Sequence, residues 1–129
     1  MTLDQLSKHL DALGWAHRPH DPRTYRCDHT SPEGDLHVFV RLTDDWLVAS
    51  VVPFLATKGD NSFELVRWLL RQNRDLNQAR FATDEDGDVV LSVELPTESL
   101  DPGEIKSTFE NLLAYAVEHR ATLRRAAGA

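Results

Sequence analysis

Cysteine is almost absent from this chain of 129 residues, and the single one, Cys27, has no partner for an internal disulfide. The fold must therefore stand on its apolar core, as is usual for proteins of a reducing compartment. Long apolar runs are also missing. Stretches such as Val89 to Leu91 fall far short of the roughly 20 residues that span a bilayer, and the polar, amphipathic segment 1–10 does not resemble a signal peptide. Basic charge is in deficit: 14 Lys and Arg face 21 Asp and Glu, a formal net charge of −7. This balance disfavours non-specific binding to nucleic acid or to anionic membranes. Glycine is sparse and scattered, with no phosphate-cradling loop, no Gly-x-Ser-x-Gly elbow and no His-Glu-x-x-His helix.

What is present fits a folded, cytoplasmic domain filling residues 1–129, with 41% hydrophobic and 27% charged residues. The acidic excess is uneven. Residues 1–80 hold 10 basic and 11 acidic side chains, whereas residues 81–129 hold 4 and 10. Thr2 and Gln5 have capping-box spacing, and Leu3, Leu6, Leu10 and Leu13 follow as one helical stripe that Gly14 ends. Pro19, Asp21 and Pro22 read as a break. Period-two alternation then predicts strands at residues 24–29, 36–41 and 46–52, with a turn from Ser31 to Gly34 and an end at Pro53.

Asn61 with Glu64 suggests the start of a helix from Ser62 to about Leu76. This helix is apolar on two sides. Leu65, Leu69 and Leu76 form one line, with Trp68 near it, and Phe63, Val66 and Leu70 form another. Such a helix is either sandwiched in the core or packed on another chain. Arg67, Arg71 and Arg74 edge it, with Glu64 and Asp75 as possible pairing groups. Two short strands, 79–83 and 89–95, flank the acidic turn Asp84-Glu85-Asp86-Gly87-Asp88. Asp101-Pro102-Gly103-Glu104 opens a last helix that Arg120, Arg124 and Arg125 complement at its C-terminal end. The order helix-βββ-helix-ββ-helix indicates an α+β fold with helices on an antiparallel sheet.

Candidate chemistry is thin. The acidic turn fails the calcium-loop pattern, because Gly87 is fourth rather than sixth and Leu95 stands where a bidentate Glu is needed. His17, His20, Cys27 and His29 lie close in sequence but match no standard zinc spacing; the bland reading makes Cys27 a small core residue and the histidines surface polars. Cys27 has no selected base nearby for nucleophilic work. No catalytic, cofactor or metal assignment follows, and association is left as the function class. The two-sided helix, rich in aromatic residues and arginine, is the candidate self-association surface.

The element order resembles the type III secretion chaperone-like fold, shared by the class I secretion chaperones of the Tir-chaperone group and by YbjN-like proteins. The stretch from Leu69 to Leu95, with Leu76-Asn77, Ala79-Arg80-Phe81-Ala82, the acidic Gly turn and Val89-Val90-Leu91, resembles the segment those families place after their central helix. The resemblance implies a non-enzymatic homodimer in bacterial cytoplasm, with Phe63, Val66, Trp68 and Leu70 at the subunit interface. It also implies an extended client segment held in grooves, for which Trp15, Tyr25 and Phe39 are candidates. Arg67, Arg71 and Arg74 would face the acidic hairpin of the partner subunit. A second reading is a YbjN-like regulatory or small-ligand-binding domain with no exported client.

Overall fold

The chain begins with a capped helix because Thr2 and Gln5 satisfy each other's backbone. The Thr2 amide donates to Gln5 Oε1 at 2.8 Å, and the Gln5 amide donates to Thr2 Oγ1 at 3.2 Å. The computed structural model describes residues 1–32 and 34–126, with side chains to residue 122. Arg124 and Arg125, expected at the last helix's C-terminal end, therefore have side chains outside the described set. Glu33 of the expected turn is also outside it, while Ser31 and Gly34 exchange backbone hydrogen bonds across that turn.

Among the described residues the elements are α1 (Leu3–Ala12), β1 (Arg18–Asp21), β2 (Thr24–His29), β3 (Leu36–Leu42), β4 (Trp46–Leu55), α2 (Phe63–Asp75), β5 (Ala79–Thr83), β6 (Val89–Pro96) and α3 (Pro102–Ala126). The expected α+β order is present with one strand added. β1 occupies the segment read as a proline break, because an edge strand tolerates Pro19 where an inner strand would not. β4 also runs past Pro53, to Leu55. The strands form one six-stranded antiparallel sheet in the order β1-β2-β3-β4-β6-β5.

Alternation gives this sheet two unlike faces. Cys27, Val38, Val40, Ala49, Val51, Leu91 and Val93 turn inward and are fully or nearly fully buried. Helices cover this side through Leu6 and Leu10 of α1, Leu65 and Leu69 of α2, and Ile105, Phe109, Leu112 and Ala116 of α3. Trp15, just beyond Gly14 (φ +74°), stacks on Phe109 with ring centroids 5.4 Å apart and belongs to this core. The opposite face carries Arg26, His37, Phe39, Arg41, Ser50, Ser92 and Glu94 in cross-strand register.

Candidate protein-docking site

α2 starts at Ser62, whose hydroxyl accepts from the Leu65 amide at 3.1 Å. Asn61, the residue expected to help start the helix, does something else. Its side chain amide donates to the Gly87 carbonyl at 3.1 Å, so Ser62 is left to cap. The two apolar lines of α2 separate as the helical period requires. Leu65 and Leu69 are buried at 0% and 7% exposure, and Leu76 is partly buried behind them. On the other side Phe63, Val66 and Leu70 are 78%, 39% and 66% exposed.

These three residues occupy i, i+3 and i+7, so they form one continuous stripe on the outer surface. Covering each large apolar side chain is worth on the order of 1.5–3 kcal/mol, which makes the stripe the candidate site for association. Arg67 and Arg71 run beside it and, among the described residues, have no ion-pair or hydrogen-bond partner. Glu64 does not pair with either of them, whereas Arg74 contacts Asp75 at 3.3 Å. Trp68 points elsewhere. Its ring meets Phe81 at 6.1 Å and His119 of α3 at 5.7 Å, so it anchors the helix to its own chain.

The N-terminal end of α2 is held by the β5–β6 turn. The Gly87 carbonyl accepts from Gly59 N, Thr57 Oγ1 and Asn61 Nδ2 at 3.2, 3.0 and 3.1 Å. The Lys58 amide donates to Asp88 Oδ1 at 2.7 Å. Asp84 Oδ1 accepts from the amides of Asp86 and Asp88 at 2.9 and 3.0 Å. Two of the four carboxylates of this turn thus hold backbone amides. Gly87 lies at φ +82°, and a Cβ there would sit 2.5 Å from the Gly59 backbone. Glycine at position 87 is what permits so close an approach.

The other sequence candidates are dispersed. Trp15 is closed into the core, Tyr25 is partly buried beneath α1 with its hydroxyl 3.5 Å from the Leu3 carbonyl, and Phe39 lies on the open sheet face. Phe39 has the His20 ring at 4.8 Å and the Arg26 guanidinium at 5.9 Å. Beside them Asp28 accepts from Arg26 Nε at 2.9 Å and His37 Nδ1 at 2.7 Å, with Arg18 at 3.6 Å. The Arg26 and His37 hydrogen bonds hold the Asp28 carboxyl down at about 2.

His17, His20, Cys27 and His29 are not brought together, and no group of three His, Cys, Asp or Glu side chains among the described residues is arranged to hold a metal. His17 and His29 are not surface polars. His17 Nδ1 lies 2.9 Å from the Trp15 carbonyl, which can only accept, so this nitrogen donates. His17 Nε2 is 2.7 Å from Ser7 Oγ. His29 lies edge-on to Trp15 at 4.5 Å, its Nε2 buried without a hydrogen-bond partner, and burial lowers its pKa. Burial raises the Cys27 thiol to about 12, which leaves it almost wholly protonated at neutral pH.

The α+β architecture is that of the type III secretion chaperone-like folds. The model of the Tir chaperone protein (CesT) family matches residues 27–120, and the chain belongs to that family. YbjN from E. coli is similar over 95% of this chain and 93% of its own, at 15% identity and a TM-score of 0.68. A chain of the ExsC–ExsE complex is similar at 19% identity and TM-score 0.66, covering 95% and 97%. The Yersinia pestis type III secretion chaperone SycH, solved with a stable fragment of YscM2, is similar at 20% identity and TM-score 0.58, covering 89% and 96%. No curated protein matches the sequence. Among the described residues no helix is long and apolar enough to cross a membrane.

Proposed function

We propose that this chain is a non-enzymatic, chaperone-like binding module that acts as one unit and dimerises through the outer face of α2. The observation that carries this reading is the solvent-facing stripe of Phe63, Val66 and Leu70, the first and last of them 78% and 66% exposed. An antiparallel two-fold contact between copies of α2 would also bring the acidic start of the helix, at Glu64, toward Arg71 and Arg74 of its partner. Membership of the Tir chaperone family supports a client-binding role in the bacterial cytoplasm. The ExsC–ExsE complex and SycH with its YscM2 fragment are relatives in fold with bound proteins, and a similar client here would be an extended protein segment.

Light scattering at micromolar concentration tests the core of this reading. The wild type should have twice the 14.6 kDa chain mass, and Phe63→Glu/Leu70→Glu should have the single-chain mass with unchanged circular dichroism. A wild type that stays at single-chain mass sinks the dimer.

A further inference from the structure

The two edges of the sheet are finished differently. β1 is four residues long, contains Pro19 and changes register between Pro19 and Asp21. Shortness, proline and a bulge each discourage pairing at a free edge. β5, at five residues, is nearly as short but has neither of the other devices: it contains no proline or glycine and keeps regular register with β6 from Ala79 to Thr83. By composition it would be open to a further strand.

Its middle residue is occupied instead by a side chain of α2. The Phe81 amide donates to Asn73 Oδ1 at 2.6 Å, and Asn73 Nδ2 donates to the Phe81 carbonyl at 3.0 Å. Both backbone groups of Phe81 therefore point away from β6. In an antiparallel ladder the neighbours then turn the other way, so Arg80 and Ala82 make the bonds to β6. Phe81 is thus the central site at which an added strand would have to pair. A carboxamide offers a donor and an acceptor in one plane, as a peptide unit does, and Asn73 fills that site as a one-residue surrogate strand.

We propose that Asn73 is an assembly-determining residue, whose carboxamide closes the β5 edge against strand addition by a second copy of this chain. α2 then has two tasks. Its Asn73 flank seals the sheet edge, while the Phe63, Val66 and Leu70 stripe on another side stays free to meet a partner. The edge argument stands on the Asn73–Phe81 geometry and does not need the α2 dimer to be correct.

The test adds Asn73→Ala to the Phe63→Glu/Leu70→Glu protein and compares the two by sedimentation and amide exchange. The added substitution should produce concentration-dependent species heavier than its parent. At dilutions where the variant stays at single-chain mass, it should also speed exchange at Phe81 by about tenfold, the effect of losing one hydrogen bond, while Arg80 and Ala82 keep their protection. If Asn73→Ala unfolds the chain, Asn73→Leu, which keeps the branched shape and removes the hydrogen bonds, replaces it. An unchanged mass at every concentration, or an unchanged Phe81 exchange rate in the folded variant at single-chain mass, overturns the proposal. If the wild type itself has single-chain mass, the dimer reading fails separately, and the Asn73 substitution is scored in the wild-type background.

Discussion

Two surfaces of this molecule lie outside the core with no helix over them, and they handle their exposure in opposite ways. On the open face of β1–β3, charge is matched within the chain: Arg26 and His37 bond Asp28, Arg18 approaches it, and the Arg26 guanidinium and His20 ring cover Phe39. On the outer face of α2, Phe63 and Leu70 stand in water and Arg67 and Arg71 are unmatched among the described residues. A surface whose groups satisfy one another gains little from a partner. One whose groups do not keeps its binding capacity, because contact removes apolar area from water and offers carboxylates to waiting guanidinium groups. The contrast ranks α2 above the sheet as a docking site.

The sharpest way to break this contrast is within α2 itself. Leu65→Ala, on the buried side, should destabilise the chain by about 2–5 kcal/mol, whereas Phe63→Ala should change stability of the dissociated chain by roughly 0.5 kcal/mol or less. Urea unfolding at high dilution measures both, and a large loss from Phe63→Ala would mean that its side chain packs within its own chain. Gly87→Ala comes next, at about 1–3 kcal/mol, since the residue must hold φ +82° and its Cβ would meet the Gly59 backbone. Amide exchange should show the damage reaching the first turn of α2, through the bonds that tie 57–61 to the turn.

A smaller effect is expected from pH. Burial lowers the His29 pKa in the fold, so the unfolded chain binds its proton more readily. The stabilisation is full above about 6.5, the unfolded value, and declines as pH falls from there toward the folded value. Melting temperatures of the wild type should drop on going from pH 7.5 to 5.5, and His29→Gln should flatten that drop; equal slopes would contradict the assignment. The smallest change belongs to the self-matched sheet face. Asp28→Asn should leave the melting temperature and the oligomeric mass nearly as they are, because exposed ion pairs contribute little. Loss of the dimer in that variant would reverse the ranking of the two surfaces.

Local rules made much of this architecture legible. The Thr2–Gln5 capping box, the Asp101 cap on the Glu104 amide at 2.8 Å, and the alternation of β2, β3 and β6 are all short-range signals. The two lines of α2 could be read from sequence, and helical geometry alone separated Leu65 and Leu69 from Phe63 and Leu70. β1 was hidden because Pro19 and Pro22 look the same in a break and at a sheet edge, where no ladder bond is lost. Trp15 gave no sign of its partner, since Phe109 lies far along the chain. Asn73 carried no signal at all: an asparagine within a helix is ordinary, and its value arises only once Phe81 is folded beside it. The acidic turn did carry a signal, and its Asp84 and Asp88 oxygens accept from backbone amides that fix the turn.

The Gly59–Gly87 contact has a consequence for how sequences of this kind can drift. The two positions lie on different connections, yet Gly87 cannot acquire a side chain while the Gly59 backbone stays where it is, whereas a Cβ on Gly59 would meet open space. A lineage that replaces Gly87 must first lengthen or re-route the segment between β4 and α2, and that segment sets where the outward stripe of α2 begins. The contact therefore ties the inheritance of a hairpin turn to that of the segment leading into α2: the turn can gain a side chain at this position only after that segment has moved.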